Sequence, residues 1–187
     1  MPLLDEVKTG WEYVSTIEPA LGKVTRDELR RVEGSIAAIE HHAGELAELA
    51  GDELDGARST IAMLYARGAA IAVAAGEEGI AQRWFDAGQP YATDEAYAAQ
   101  LAEGRREPER FRQLAHGRYL IAKRREAAAR KLWRDLVKAN ATGAIALAAK
   151  AEQQAPRPLD GASPTLWTLN GVGLGFAGSR DAWDDGS

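Results

Sequence analysis

The sequence predicts an all-α fold. Three observations carry this. Alanine makes up 37 of the 187 residues, and Ala is the best helix former because it loses no side-chain entropy in a helix. No stretch alternates polar and apolar residues as a half-buried strand does. Apolar residues instead return every three or four positions along most of the chain. The length suits one domain with its own core. Cysteine is absent, which excludes a disulfide scaffold, thiolate metal sites and a thiol nucleophile. Residues 1–13 carry early acids and no long apolar run, unlike a signal peptide. No stretch approaches the ~18 apolar residues of a membrane span.

Residues 3–17 form the first predicted helix, with Leu4, Val7, Trp11, Val14 and Ile17 at helical spacing. Pro19 and Gly22 end it. A second, over 25–50, opens on a capping box in which the Thr25 hydroxyl and the Glu28 carboxylate each satisfy an N–H at the helix start. Its stripe is Leu29, Val32, Ile36, Ile39, Ala43, Leu46 and Leu49, and Gly51 stops it. A third opens near Asp52 or Asp55 and closes at Gly76. Ala66 to Ala75 is almost wholly small or apolar, so neighbours should enclose this helix on more than one side. Further helices are predicted over 77–88, broken at Pro90; over 94–103, capped by Thr93; and over 108–123, with Pro108 in its first turn. The last two cover 126–138 and 141–153, the latter capped by Asn140. The helical domain is thus 1–153, and a Pro/Gly-rich linker or tail occupies 154–187.

The formal net charge of −5 conceals an asymmetry. Residues 1–104 carry 8 basic and 19 acidic side chains, whereas 105–138 carry 12 basic and 4 acidic ones. The basic block suits phosphates, an acidic partner or an anionic membrane face. The plainer reading is a solvated helix face, or pairing with the acidic half of the same molecule. Phe111, Tyr119 and Trp133 fall at core positions rather than between the cations, which disfavours nucleic acid.

Short turns between helices invite a search for repeats. In 65–88, Tyr65 is followed by Ala69, Gly76, Ala81, Phe85 and Gly88, a small–large alternation that lets two helices cross closely. This pattern resembles a divergent tetratricopeptide (TPR) repeat. A looser match over 112–135 places Tyr119, Ala128 and Leu132 at family positions, with His116 and Asp135 departing from it. Ala81 and Ala128 are 47 residues apart, not the family's 34, and the 25–50 helix is too long for a regular repeat. The fold expected is therefore antiparallel helix pairs packed as a TPR-like array or as an irregular helical bundle. The resemblance implies a groove for a peptide or protein, lined by exposed residues of the first helix of each pair. Arg112, His116, Arg118 and Lys123 are then the candidate contacts, and their charge favours an acidic segment or a carboxylate.

Candidates for chemistry are few. His41 and His42 lie near Glu33, Glu40, Glu45 and Glu48, but neither histidine follows a glutamate at the spacing a di-iron bundle uses. His-Glu-x-x-His, Gly-x-Ser-x-Gly and the P-loop are absent. Asn170 to Phe176 looks like a dinucleotide loop without the βαβ context. No catalytic residue, metal or cofactor is expected.

In the tail, Thr168-Leu169-Asn170-Gly171-Val172-Gly173, then Gly178-Ser179-Arg180-Asp181 and Asp185-Gly186-Ser187, resembles an "LNGxG…GxxD…DGS" segment of uncharacterised bacterial proteins. There it leads into a short membrane-associated region. That resemblance implies that the sequence is a fragment and that the helical domain is cytoplasmic, tethered to the inner membrane. The bland alternative is a glycine-rich terminus, although Trp167, Phe176 and Trp183 are unusual in one. The leading expectation is a non-enzymatic scaffold or adaptor domain for protein–protein contact. Its alternatives are a helical-bundle enzyme or metal-binding protein using the His41/His42 face, and an anionic-surface or nucleic-acid binder using 105–138.

Overall fold

Eight α-helices run through residues 1–155, which are the residues described by the structure, a computed structural model. They are α1 (Pro2–Thr16), α2 (Arg26–His42), α3 (Gly51–Ala74), α4 (Glu78–Gly88), α5 (Glu95–Arg106), α6 (Pro108–Ala122), α7 (Glu126–Ala139) and α8 (Ala144–Gln154). Short 3-10 turns occupy Ala43–Glu48 and Gln89–Tyr91. The described residues contain no strand. The all-α expectation holds. The tail motif at 168–187, with Trp167, Phe176 and Trp183, lies outside the described residues, as does the Asn170–Phe176 loop.

The core is organised around α3. From Ser59 to Ala74 every residue is buried, because α1, α2, α4 and α6 all pack on this helix. Small side chains on α3 let those helices approach, while Ile61, Leu64 and Ile71 fill the space between them. Gly88 on α4 fits beside Tyr65: a Cβ there would lie 2.9 Å from the tyrosine's own Cβ.

Three local expectations are corrected. The helix over 25–50 is not continuous. It opens on the predicted capping box, with Glu28 N donating to Thr25 Oγ1 at 3.2 Å and Thr25 N to Glu28 Oε2 at 2.8 Å. The α-helix ends at His42, and Ala43–Glu48 is 3-10. Ala43, Leu46 and Leu49 are spaced by three throughout, the period of a 3-10 helix. Asp94, not Thr93, caps α5, accepting from Tyr97 N at 2.8 Å; the Thr93 hydroxyl instead meets that of Ser59 at 2.7 Å. Asn140 does not cap α8, whose N-cap is Gly143. Its Oδ1 accepts from Thr142 N at 3.1 Å and turns the chain before the helix.

The packing of α6 on α7 runs one residue later than the sequence alignment assumed. Ala129 and Trp133 are fully buried, whereas Ala128 and Leu132 sit half-buried at the margin of the core. With this shift α3–α5 and α6–α8 correspond at an offset of 48 positions rather than 47. Ala74 and Ala122 end α3 and α6, and Glu78 and Glu126 begin α4 and α7. Buried Ala69, Ala81 and Phe85 align with Gly117, Ala129 and Trp133. Tyr97 and Leu101 of α5 align with Ile145 and Ala149 of α8, all four buried. The turns match as well. Glu77 N donates to Ala72 O and Arg125 N to Leu120 O, both at 2.8 Å. The preceding residue has positive φ in each, +82° at Gly76 and +58° at Arg124, the usual geometry of a helix stop.

Candidate interaction surface

Sequence reasoning placed the contact residues on the exposed side of 109–123. That exposure is not observed for most of them, because α6 is an interior helix packed against α3, α5, α7 and α8. Arg112 is only 6% exposed. Its Nη1 donates to Pro19 O at 2.8 Å, and its Nε and Nη2 donate to Glu109 at 2.7 and 2.6 Å. His116 Nε2 lies 2.9 Å from Glu18 Oε1. Arg118 Nε donates to Glu152 Oε1 at 2.8 Å, and its Nη2 to Gln100 Oε1 at 3.3 Å. Lys123 alone of the four is exposed; its Nζ lies 5.5 Å from the centre of the Tyr119 ring.

These cations secure neighbouring segments. Arg67, buried in α3, joins them. Its Nη2 donates to Ile17 O at 2.9 Å and its Nη1 to Ala115 O at 3.0 Å. Burial lowers its pKa to about 10, so it stays protonated at neutral pH. The Ile17 carbonyl ends α1, where the helix dipole is negative, and this helps hold a buried cation. Desolvation moves the His116 pKa below its ordinary value, helped by the nearby charges of Arg112 and Arg67 and opposed by Glu18. Burial tends to raise the Glu18 pKa, but hydrogen bonds and charge from Lys23 and His116 outweigh it and lower the value.

Of the cations left over, Arg106 ends α5, Arg124 and Arg125 precede α7, and Lys131, Arg134 and Lys138 lie on α7. Ala129, Trp133 and Leu136 form its buried side. Arg124, Arg125, Lys131, Arg134 and Lys138 are exposed, and their side chains make no hydrogen bond or ion pair among the described residues. At ~100° per residue, Ala127, Lys131, Arg134 and Lys138 share one narrow stripe opposite the Trp133 side. Asp135 is the acid beside it. Arg130 is not part of the stripe: it pairs with Glu126 at 2.7 Å and donates to Gln153 O at 3.0 Å. Sequence reasoning delimited this block but did not single out the stripe. The 131/134/138 spacing was the signal that could have found it.

The histidine–glutamate face of α2 has other work. Glu45 Oε1 lies 2.8 Å from His42 Nδ1, and Oε2 accepts from Leu3 N at 3.0 Å. The backbone bond from Leu3 is the chief cause of a lowered Glu45 pKa. Glu40 accepts from Tyr65 OH at 2.9 Å. Among the described residues no group of three metal-binding side chains is assembled. No described helix is long and apolar enough to cross a membrane.

Compared with protein-family models, curated proteins and solved structures, the chain matches none.

Proposed function

We propose that this chain is a non-enzymatic helical-repeat interaction domain, and that it meets an anionic partner on the outer face of α7. One observation carries the reading: Lys131, Arg134 and Lys138 project from the side opposite the core with no hydrogen-bond or ion-pair partner among the described residues. Elsewhere in the block, Arg105, Arg110, Arg112, Arg118 and Arg130 are each paired with a carboxylate. Three cations beside one acid, Asp135, leave the stripe with an excess of positive charge, and an anionic partner relieves the repulsion among them. The 48-residue correspondence between α3–α5 and α6–α8 supports a repeat architecture, and such arrays commonly serve as interaction domains. The rival reading at His41 and His42 has less support, because Glu40 and Glu45 are engaged in holding α3 and α1.

The test is fluorescence anisotropy of a labelled poly-glutamate probe titrated with the full chain. Binding that weakens with salt and disappears in the Lys131→Glu/Arg134→Glu/Lys138→Glu variant is the expected result. Equal binding by both proteins would remove α7 from the account.

A further inference from the structure

We infer that the anionic partner of α7 is a phospholipid surface; this rests on the reading of α7 as the contact face. A specific protein contact is built around a desolvated apolar or aromatic centre with a polar rim. Among the described residues the large apolar side chains that stand exposed are Met1, Leu21 and Leu147, and none belongs to α7. Single-stranded nucleic acid needs aromatic platforms between the cations, and the only aromatic residue of α7, Trp133, is fully buried. What remains is a line of long, flexible cations on a convex helix, with Ala127 keeping its profile low. Such a face gains from a dense field of negative headgroups and requires no shaped pocket.

The rest of the molecule favours one orientation on that surface. The net charge of residues 1–104 is negative, so an anionic bilayer repels the bulk of the domain while it attracts α7. The contact is peripheral, because the stripe offers nothing to insert into the hydrocarbon. It is therefore reversible and sensitive to salt.

The experiment is co-sedimentation of the full chain with vesicles of phosphatidylcholine alone and of phosphatidylcholine mixed 3:1 with phosphatidylglycerol, beside the poly-glutamate probe and a DNA duplex. The result expected is binding to the mixed vesicles and not to phosphatidylcholine alone, lost at high salt, with the poly-glutamate probe and the duplex bound more weakly than the mixed vesicles. Neutralising one cation by Lys131→Gln or Arg134→Gln should weaken partitioning roughly fivefold. The Gln variants also guard against misfolding of the charge-reversed triple, and circular dichroism verifies each. Binding to poly-glutamate or DNA without binding to anionic vesicles would overturn the lipid assignment and leave α7 as the contact face. Vesicle binding that the α7 variants do not weaken would overturn both readings, as would no binding to any probe.

Discussion

Gly117 on α6 and Trp133 on α7 occupy one space: a Cβ on the glycine would overlap the indole at Nε1 and Cε2. The indole N–H donates to Leu114 O at 3.3 Å, one turn before the glycine. The tryptophan is fully buried, so the ring has nowhere to move. Replacing glycine by alanine inside a helix ordinarily gains ~1 kcal/mol, whereas forcing atoms into a packed core costs about 1–3 kcal/mol. Gly117→Ala should therefore lower stability by roughly 1–2 kcal/mol in denaturant unfolding. Gly34, exposed with nothing near its missing Cβ, should behave oppositely, and Gly34→Ala should raise stability by up to ~1 kcal/mol. A Gly117→Ala protein as stable as the parent would show that α6 and α7 do not cross at this point.

Glu103 caps α8 from another helix, accepting from Ile145 N at 3.2 Å. Gly143, at φ +93°, leaves room for that carboxylate, because a Cβ there would stand 2.6 Å from Oε2. Glu103→Ala leaves a buried N–H unsatisfied and should cost about 1–2 kcal/mol. Gly143→Ala adds backbone strain to a clash with the carboxylate. The double variant should lose less than the two single losses together, since the clash vanishes with the side chain. A double-mutant cycle measured by urea unfolding checks this, and strict additivity would contradict it.

Arg67 bridges Ile17 O and Ala115 O, carbonyls nearly a hundred residues apart in the chain. Arg67→Met retains much of the volume and removes the cost of burying a charge, but it strips both acceptors of their donor. The loss of donors should outweigh the relief and leave a deficit of about 1–2 kcal/mol. Faster hydrogen exchange at the end of α1 should accompany it. Arg67→Lys should not restore the parent, because one ammonium lacks the fork that reaches both oxygens.

Acid should weaken the fold in two stages. The folded His116 pKa lies below the ordinary histidine value of 6.5, so the unfolded chain binds that proton more readily. Stability from this group is complete above 6.5 and declines as pH falls through the lowered folded value. The folded Glu18 pKa lies below 4.5, so its contribution is present above 4.5 and is lost as pH falls through its own lowered value. His116→Gln should flatten the melting temperature between about pH 7 and pH 5 while leaving the loss at stronger acidity. A slope unchanged in the upper window would mean that His116 is not the responsible group.

Much of the fold was legible because its signals are local. Thr25 and Glu28 are three residues apart, and each satisfies the other's N–H wherever the rest of the chain goes. The apolar run of α3 announced its enclosure in the same way. The break after His42 was harder to read, since a stripe at three-residue spacing fits the end of an α-helix as readily as a 3-10 turn. The register of α7 depended on choosing between Ala128 and Ala129, which are chemically identical. Only the meeting of Gly117 with Trp133 decides between them. The candidate site misled for a related reason. A charged helix normally faces water, and Arg112, His116 and Arg118 were read that way. Their partners Pro19, Glu18, Gln100 and Glu152 lie 18 to 98 positions away, beyond the reach of any periodicity argument. The stripe on α7 needed the converse knowledge, namely which cations had been left without a carboxylate.

The fastening of α1 bears on the order in which the molecule takes shape. Helix α1 is held at one end by Glu45 and at the other by Arg67, Arg112 and His116. Its final contacts cannot form until α6 has been synthesised, so a nascent chain that stops short of His116 carries an incompletely anchored α1. Closing contacts over so long a span is slow relative to forming the helices themselves. The packing of α1 on α2 and α3 can therefore come first, and the polar locking of its far end is a late event.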